Sequence, residues 1–235
     1  MLLTPASAQV LAPYTAIVKK VVDGDTLILN NGEHVRLLGI NTPERGKKQT
    51  PDQPLADAAF KRLRSLFQGR VVKVRPGVEP RDRHGRLLAT VQAPDGMDVS
   101  QILLSEGLGW MVAIAPNTAH VEKYQAAERR ARRASLGVWG LKYYAPLPAS
   151  ELDNHTTGFR LVQGRVTRIG RGKKNLYLNL GEGFAVNIPR ASLIHFTLPP
   201  ERLLNRNIIV QGWINWYQGR AHMRISHPAM IEARQ

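Results

Sequence analysis

The chain has 235 residues, 43% of them hydrophobic, enough for one large core or two modest ones, and no apolar run approaches transmembrane length. It has no cysteine, which excludes disulfides and thiolate metal sites. A formal net charge of +15 makes a polyanion the first partner to consider, nucleic acid ahead of an anionic membrane surface. The plainer reading is a basic protein with no such partner.

In chain order, residues 1–13 read as a tail. Ala6-Ser7-Ala8 has the A-x-A pattern of a signal-peptidase site. It is either the end of an export signal, giving a secreted or periplasmic protein, or a chance match in a disordered terminus. Tyr14 to Val22 reads as a first strand. Asp23-Gly24-Asp25 is a turn, Leu27 to Leu29 a second strand, and Asn30-Asn31-Gly32 a hairpin turn whose residues tolerate positive φ. His34 to Ile40 then runs back as a third strand, with Arg36 a charge among apolar neighbours. An antiparallel pair brings Asp25, at the start of one strand, to Asn41, Thr42 and Glu44 at the end of the other.

Arg45 to Gln53 is a polar loop, whose Lys47 and Lys48 either contact phosphate or are solvated. Pro54 suits the first turn of a helix with an apolar stripe at Ala56, Phe60, Leu63 and Phe67, stopped by Gly69. Val71 to Arg75 and Leu87 to Gln92 are further strands. Asp98 and Gln101 form a capping-box pattern before a short helix. Asn117-Thr118 opens a third helix, with Val121, Tyr124, Ala127, Ala131 and Ala134 on one face. Arg129, Arg130, Arg132 and Arg133 on the other face are either a solvated surface or a nucleic-acid contact.

Residues 143–157 contain two prolines and little periodicity and read as a linker. Residues 158–235 read as a second domain of five strands with a short helix inserted between the third and fourth, a smaller OB-like barrel. Tyr177, Trp213 and Trp216 either stack bases on that barrel or fill its core.

Four stretches carry a more specific signal: Asp23-Gly24-Asp25-Thr26, Arg36-Leu37-Leu38, Asn41-Thr42-Pro43-Glu44 and Asp82-Arg83-His84-Gly85-Arg86-Leu87. Together they resemble the staphylococcal nuclease (thermonuclease) family, over a domain spanning 14–142. The resemblance implies a mainly β fold with α, a five-stranded OB barrel with three helices. It also implies Ca²⁺-dependent cleavage of DNA and RNA phosphodiesters with little sequence specificity. A monomer is expected, and no protein partner is inferred. By the same resemblance Asp25, Asn41 and Thr42 hold the metal, and Glu44 orients or deprotonates the attacking water. Arg36 and Arg86 grip the phosphate with planar forks, which suit phosphate oxygens better than ammonium groups do.

The chain departs from the family pattern in three places. Asn41 stands where the family has a second metal-binding carboxylate. An amide oxygen still ligates Ca²⁺, but one negative charge is gone, so metal affinity falls, Mg²⁺ or Mn²⁺ competes better, or activity is low. The alternative reading is therefore a catalytically weak nucleic-acid-binding module on a nuclease scaffold. Ala113 and Ala115 replace tyrosines that stack on the nucleotide, and Arg83-His84 replaces a Lys-Tyr pair at the terminal phosphate.

Overall fold

The computed structural model describes residues 11–46 and 50–234. Lys47 and Lys48, and the Ala6-Ser7-Ala8 pattern, lie outside the described residues. The chain divides into two compact units, one of Met1–Met111 with Pro116–Gly140 and one of Val112–Ala115 with Leu141–Gln235.

The first unit contains β1 (Tyr14–Val21), β2 (Thr26–Leu29), β3 (His34–Leu37), β4 (Ile40–Asn41), α1 (Ala56–Phe67), β5 (Val71–Arg81), β6 (Leu87–Gln92), α2 (Val99–Ser105), β7 (Trp110–Met111) and α3 (Val121–Arg133). Five strands close a barrel in the order β1-β2-β3-β6-β5, with β3 and β6 parallel, while β4 and β7 form a separate antiparallel pair. This is the OB arrangement. Alternation along the strands fills the barrel with Val18, Leu27, Leu29, Val35, Leu37, Val72, Val74, Leu87 and Ala89, all almost fully buried.

Three local expectations change. In the β2–β3 hairpin only Gly32 takes positive φ (85°), because a three-residue turn needs one left-handed residue and both asparagines act through their side chains instead. Asn30 Oδ1 accepts from Ile17 N and Asn31 Oδ1 from Glu33 N. On α1, Ala59 is buried beside Ala56, Leu63 and Phe67, whereas Phe60 is only half-buried and lies under the Arg45 guanidinium, 4.2 Å from ring centroid to Cζ. Helix α3 begins at Val121 rather than at Asn117-Thr118, since the Asn117 side chain is spent on both backbone groups of Glu79. On α2 the Asp98 cap forms as its spacing predicts, accepting from Gln101 N at 3.1 Å.

The second unit contains β8 (Leu147–Pro148), β9 (Gly158–Arg165), β10 (Arg168–Arg171), β11 (Asn175–Leu180), β12 (Phe184–Pro189), β13 (Asn207–Tyr217), β14 (Arg220–Arg224) and β15 (Ile231–Arg234). The order is β10-β11-β12-β14-β13-β9-β8, with β15 also on β13 and the β12–β14 pair parallel. Strands β9 and β10 are halves of one segment bent at Val166-Thr167. Val166 N donates to Arg206 O on one side of the bend, and Thr167 N to Asn179 O on the other. The strand at one end of the path, β10, and the strand next to β8 at the other, β9, are thus the same stretch of chain. The inserted helix is a 3-10 turn over Arg190–His195. The segment read as a linker is not free: Leu147 and Pro148 pair in parallel with Val162 and Gln163. A short stretch with two prolines shows no periodicity, yet two residues at a sheet edge need none.

Candidate active site

The site begins with a turn that only a glycine permits. Asp23 Oδ1 accepts from Asp25 N at 3.1 Å and sets the chain direction into β2. A Cβ on Gly24 would lie 2.6 Å from Thr42 Oγ1 and 2.7 Å from the Ala59 Cβ, so the missing side chain lets the turn pack against both the β4 exit and α1. Leu37 N donates to Asp25 O, which ties β3 to the same corner.

Here four of the expected residues meet. Asp25 is buried, and its Oδ1 accepts from Thr26 Oγ1. Its Oδ2 accepts from Thr42 N at 3.0 Å and Thr42 Oγ1 at 3.2 Å, and pairs with Arg36 Nη2 at 3.1 Å. Arg36 Nη2 also donates to Asn41 Oδ1 at 3.0 Å, and Nη1 donates to Leu37 O and Ile40 O. Among the described residues Nε–H is the guanidinium donor that this cluster leaves over. Asn41 Nδ2 points to Thr42 O at 3.4 Å. Gly109 makes room for this strand end, since a Cβ there would come 2.5 Å from Asn41 O. Beside the cluster, burial and then the Asp25 charge push the Asp23 carboxyl up to about 6.

Glu44 follows two residues later on an exposed loop. Its backbone is clamped in both directions, Glu44 N donating to Gln53 Oε1 at 2.9 Å and Gln53 N to Glu44 O at 3.0 Å. Gln53 is a positioning residue that sequence reasoning missed, because nothing in its local pattern marks it.

Arg86 reaches the same side of the barrel by register. Arg36 lies opposite Thr26 on β2 and Leu88 on β6, while its neighbours Val35 and Leu37, with Leu87 and Ala89, face the core. Arg86 stands just before β6, two residues before Leu88, and carrying the strand alternation one residue back puts it on the outward side with Arg36. Its Nε pairs with Asp82 Oδ2 at 2.8 Å across a turn closed by Gly85. Burial alone would raise the Asp82 carboxyl. Hydrogen bonds from the Arg86 side chain and from the backbone N–H groups of Arg86 and His84 outweigh it and hold the group below its ordinary value. Arg83 and His84 sit on the tip of this turn, Arg83 Nε donating to His84 Nε2 at 3.1 Å. Asp82 was legible only as part of a motif; its role as the anchor of Arg86 is a structural finding.

Ala113 and Ala115 fall in the short stretch grouped with the second unit. There Ala113 N donates to Met230 Sδ at 3.2 Å and Ala115 N to Ser226 Oγ at 3.0 Å. In that unit Tyr177 and Trp213 lie on the outward face of the sheet. Trp216 does not join them: it shares the parity of the buried Gly212 and Ile214, and its Nε1 donates to Thr156 O at 2.9 Å.

Among the described residues no group of three or more His, Cys, Asp or Glu could hold a metal. Any cation here depends on a mixed oxygen set: the Asp25 carboxylate, Asn41 Oδ1 and the Thr42 carbonyl, gathered by the bonds above. Such hard oxygens fit Ca²⁺ or Mg²⁺ by donor type, with water and phosphate oxygens completing the shell. Only Asp25 among the three carries charge, and Arg36 already neutralises it.

A family model described as "Staphylococcal nuclease homologue" matches residues 34–140. The chain is 35% identical over 126 residues to a thermonuclease of Staphylococcus intermedius, covering 52% of this chain and 74% of that protein. It is 32% identical over 146 residues to endonuclease YncB of Bacillus subtilis (strain 168), covering 60% of this chain and 69% of the relative. To the SPbeta prophage-derived endonuclease YokF of the same bacterium it is 35% identical over 130 residues, 53% of this chain and 44% of the relative. With the five-stranded barrel carrying Asp25, Arg36, Asn41 and Thr42 to one corner, these matches settle the ancestry of the first unit, and the chain belongs to the staphylococcal nuclease family.

Proposed function

We propose that the chain is a metal-dependent nuclease that hydrolyses phosphodiester bonds in DNA, RNA or both with little sequence specificity. The observation that carries this reading is the single bonded cluster of Asp25, Arg36, Asn41 and Thr42, with Arg86 on the same outward face. Asp25, Asn41 and the Thr42 carbonyl would hold Ca²⁺, with Mg²⁺ or Mn²⁺ as alternatives. Bound there, a divalent cation would neutralise the non-bridging phosphate oxygens and bring a water close to phosphorus.

The remaining work falls to the chain itself. Glu44 lies on a loop whose course is fixed by Gln53, and its carboxylate orients the water and accepts its proton. Arg36 is locked by four contacts and offers Nε–H to a phosphate oxygen without needing to reorganise. Arg86 binds the same phosphate from the turn that Asp82 braces, and Arg83 and His84 on the tip meet the flanking phosphate. The polar Lys47-Lys48 loop adds positive charge nearby in sequence.

A second reading has one observation in its favour. Asn41 in place of a carboxylate leaves Asp25 alone against Arg36, which suits a weak metal site and a nucleic-acid-binding module of low activity. Digestion of fluorescent DNA and RNA with added Ca²⁺, and again in excess chelator, tests both. Cleavage that stops with the chelator supports the nuclease. Undiminished cleavage in chelator sinks the metal assignment, and tight binding without cleavage under any metal favours the module.

A further inference from the structure

The outward face of the second sheet has a composition the first unit's chemistry does not account for. Register places Gly170, Tyr177, Asn187 and Arg224 side by side across β10, β11, β12 and β14. Continuing the β13–β14 register one step beyond Ile214–Met223 brings Trp213 next to Arg224, and Trp213 pairs in turn with Phe159 on β9. The opposite face of the same strands carries Leu176, Leu178, Val186, Ile188, Ile214 and Met223, all buried. Phe159 is buried as well, whereas Tyr177 is half-buried and Trp213 exposed, so these two rings lie outside the core.

Each aromatic on the row is held ready. The Tyr177 ring lies along β10 and the residue after it, where a Cβ on Gly172 would come 3.2 Å from ring Cε2 and one on Gly170 3.5 Å from ring Cδ2, so two glycines keep that lane flat. Trp213 is 36% exposed and stands edge-on to Phe159, ring centroids 5.0 Å apart and 80° between planes. Between them, Asn187 Oδ1 has no hydrogen-bond partner among the described residues, a polar group that asks for an explanation. The charge on this face has one sign. Arg168, Arg220 and Arg224 share it with Tyr177 by strand parity, and its strand positions on β10 to β14 include no Asp or Glu among the described residues. The stretch 141–235 carries thirteen Lys and Arg against five Asp and Glu.

We infer that this row is a binding platform for single-stranded nucleic acid, with Tyr177 and Trp213 stacking bases and Arg224 between them taking a phosphate. Stacking on flat aromatics combined with fixed positive charge is how sequence-tolerant single-strand binding works. Three strand spacings separate the two rings, about 14 Å, which asks for several nucleotides rather than one. A duplex keeps its base faces covered and cannot use the rings. The inference deepens the nuclease reading and rests on it for its biological sense: the platform would hold the polymer whose bonds are cut.

The test is binding of a fluorescein-labelled oligothymidylate of about 15 nucleotides to the full chain in chelator, within the roughly 4–16-nucleotide footprint of such folds. Tyr177→Leu with Trp213→Leu should weaken binding at least tenfold. Arg224→Gln should reduce the slope of log affinity against log salt by about 0.7. Trp213→Phe keeps a stacking ring, so it should hold affinity within about twofold while removing the quenching of tryptophan fluorescence that the oligonucleotide causes. That conservative variant keeps the test decisive if the double variant misfolds. Affinity unchanged in a folded double variant, quenching unchanged by Trp213→Phe, or an equal loss toward a duplex of the same length would each overturn the platform. Binding is read without cleavage. A chain that cuts nothing but shows these changes fails the nuclease reading alone, and one that cuts DNA but shows none fails this inference alone.

Discussion

In the first unit β3 and β6 run parallel and the barrel closes as β1-β2-β3-β6-β5. In the second, β12 and β14 run parallel, and the order of β11, β12, β14 and β13 repeats the same connection rule. The proposed sites sit in different places on the two. The first unit gathers Asp25, Asn41 and Thr42 at strand ends and turns, where a backbone carbonyl and short side chains meet around one point. The second spreads Tyr177, Arg224 and Trp213 across a sheet face, where alternation presents long side chains in a row. Strand ends converge and therefore suit a small cation and a reacting phosphate. A sheet face extends and therefore suits a strand of polymer. Shared topology says little about function; the grafted residues decide it.

The comparison breaks most severely if the strand-end residues prove dispensable. Glu44→Gln and Arg86→Ala should each lower turnover roughly a hundredfold or more, the scale of removing one transition-state donor, with far smaller effects on nucleic-acid affinity. Steady-state kinetics beside binding isotherms would show it. Near-native turnover in either variant would remove that residue from the catalytic set.

Next in size is the corner that holds the cluster together. Gly24→Ala forces a Cβ within 2.8 Å of the Thr42 side chain and Ala59. Overpacking of this kind costs about 1–3 kcal/mol. Thermal unfolding should fall by several degrees and activity should drop with it, because Thr42 is both the wall of this turn and a proposed metal ligand. A variant as stable and as active as the native chain would mean that the corner is looser than its contacts indicate.

Asn41→Asp sharpens the comparison by restoring charge to the strand-end site. Ca²⁺ affinity should rise at least tenfold, which needs only about 1.4 kcal/mol from a carboxylate beside a divalent cation. In a native nuclease the Ca²⁺ requirement should move more than the maximal rate. In a binding module the substitution should create activity. Calorimetry and a calcium titration of cleavage on both forms decide this, and identical titrations would withdraw Asn41 as a ligand.

The smallest expected effect belongs to the second unit alone. Burial, and then the charge of His195, hold His227 below its usual pKa, and its Nδ1 accepts from Ala229 N. A lowered folded-state value means that the unfolded chain takes up the proton first. Stability is thus full above the ordinary histidine range and declines as pH falls through about 6.5. His227→Asn keeps an acceptor for Ala229 N without a titrating ring. Melting curves at successive pH values should show a shallower acid decline in that variant; parallel declines would assign the sensitivity elsewhere.

The sequence alone determined the first barrel and the hairpin that returns Asn41 to Asp25, and its motifs, by resemblance, nominated the catalytic set proposed above. Hydrophobic alternation and turn residues are local signals, and the motifs are contiguous. It also marked the Asp98 cap, whose partner is three residues away. Tertiary structure decided what depends on residues distant in the chain. Gln53 fixes Glu44, Asp82 braces Arg86 from a turn, and Gly24 matters because Ala59 on a helix occupies the space beside it. Residues 147–148 pair with β9 although nothing in their composition marks a strand. The aromatics of the second unit show this most plainly. Sequence put Tyr177, Trp213 and Trp216 together, but strand parity separates them, two outward and one toward the core. Which face is outward depends on where the rest of the sheet closes, and that is a property of the assembled fold.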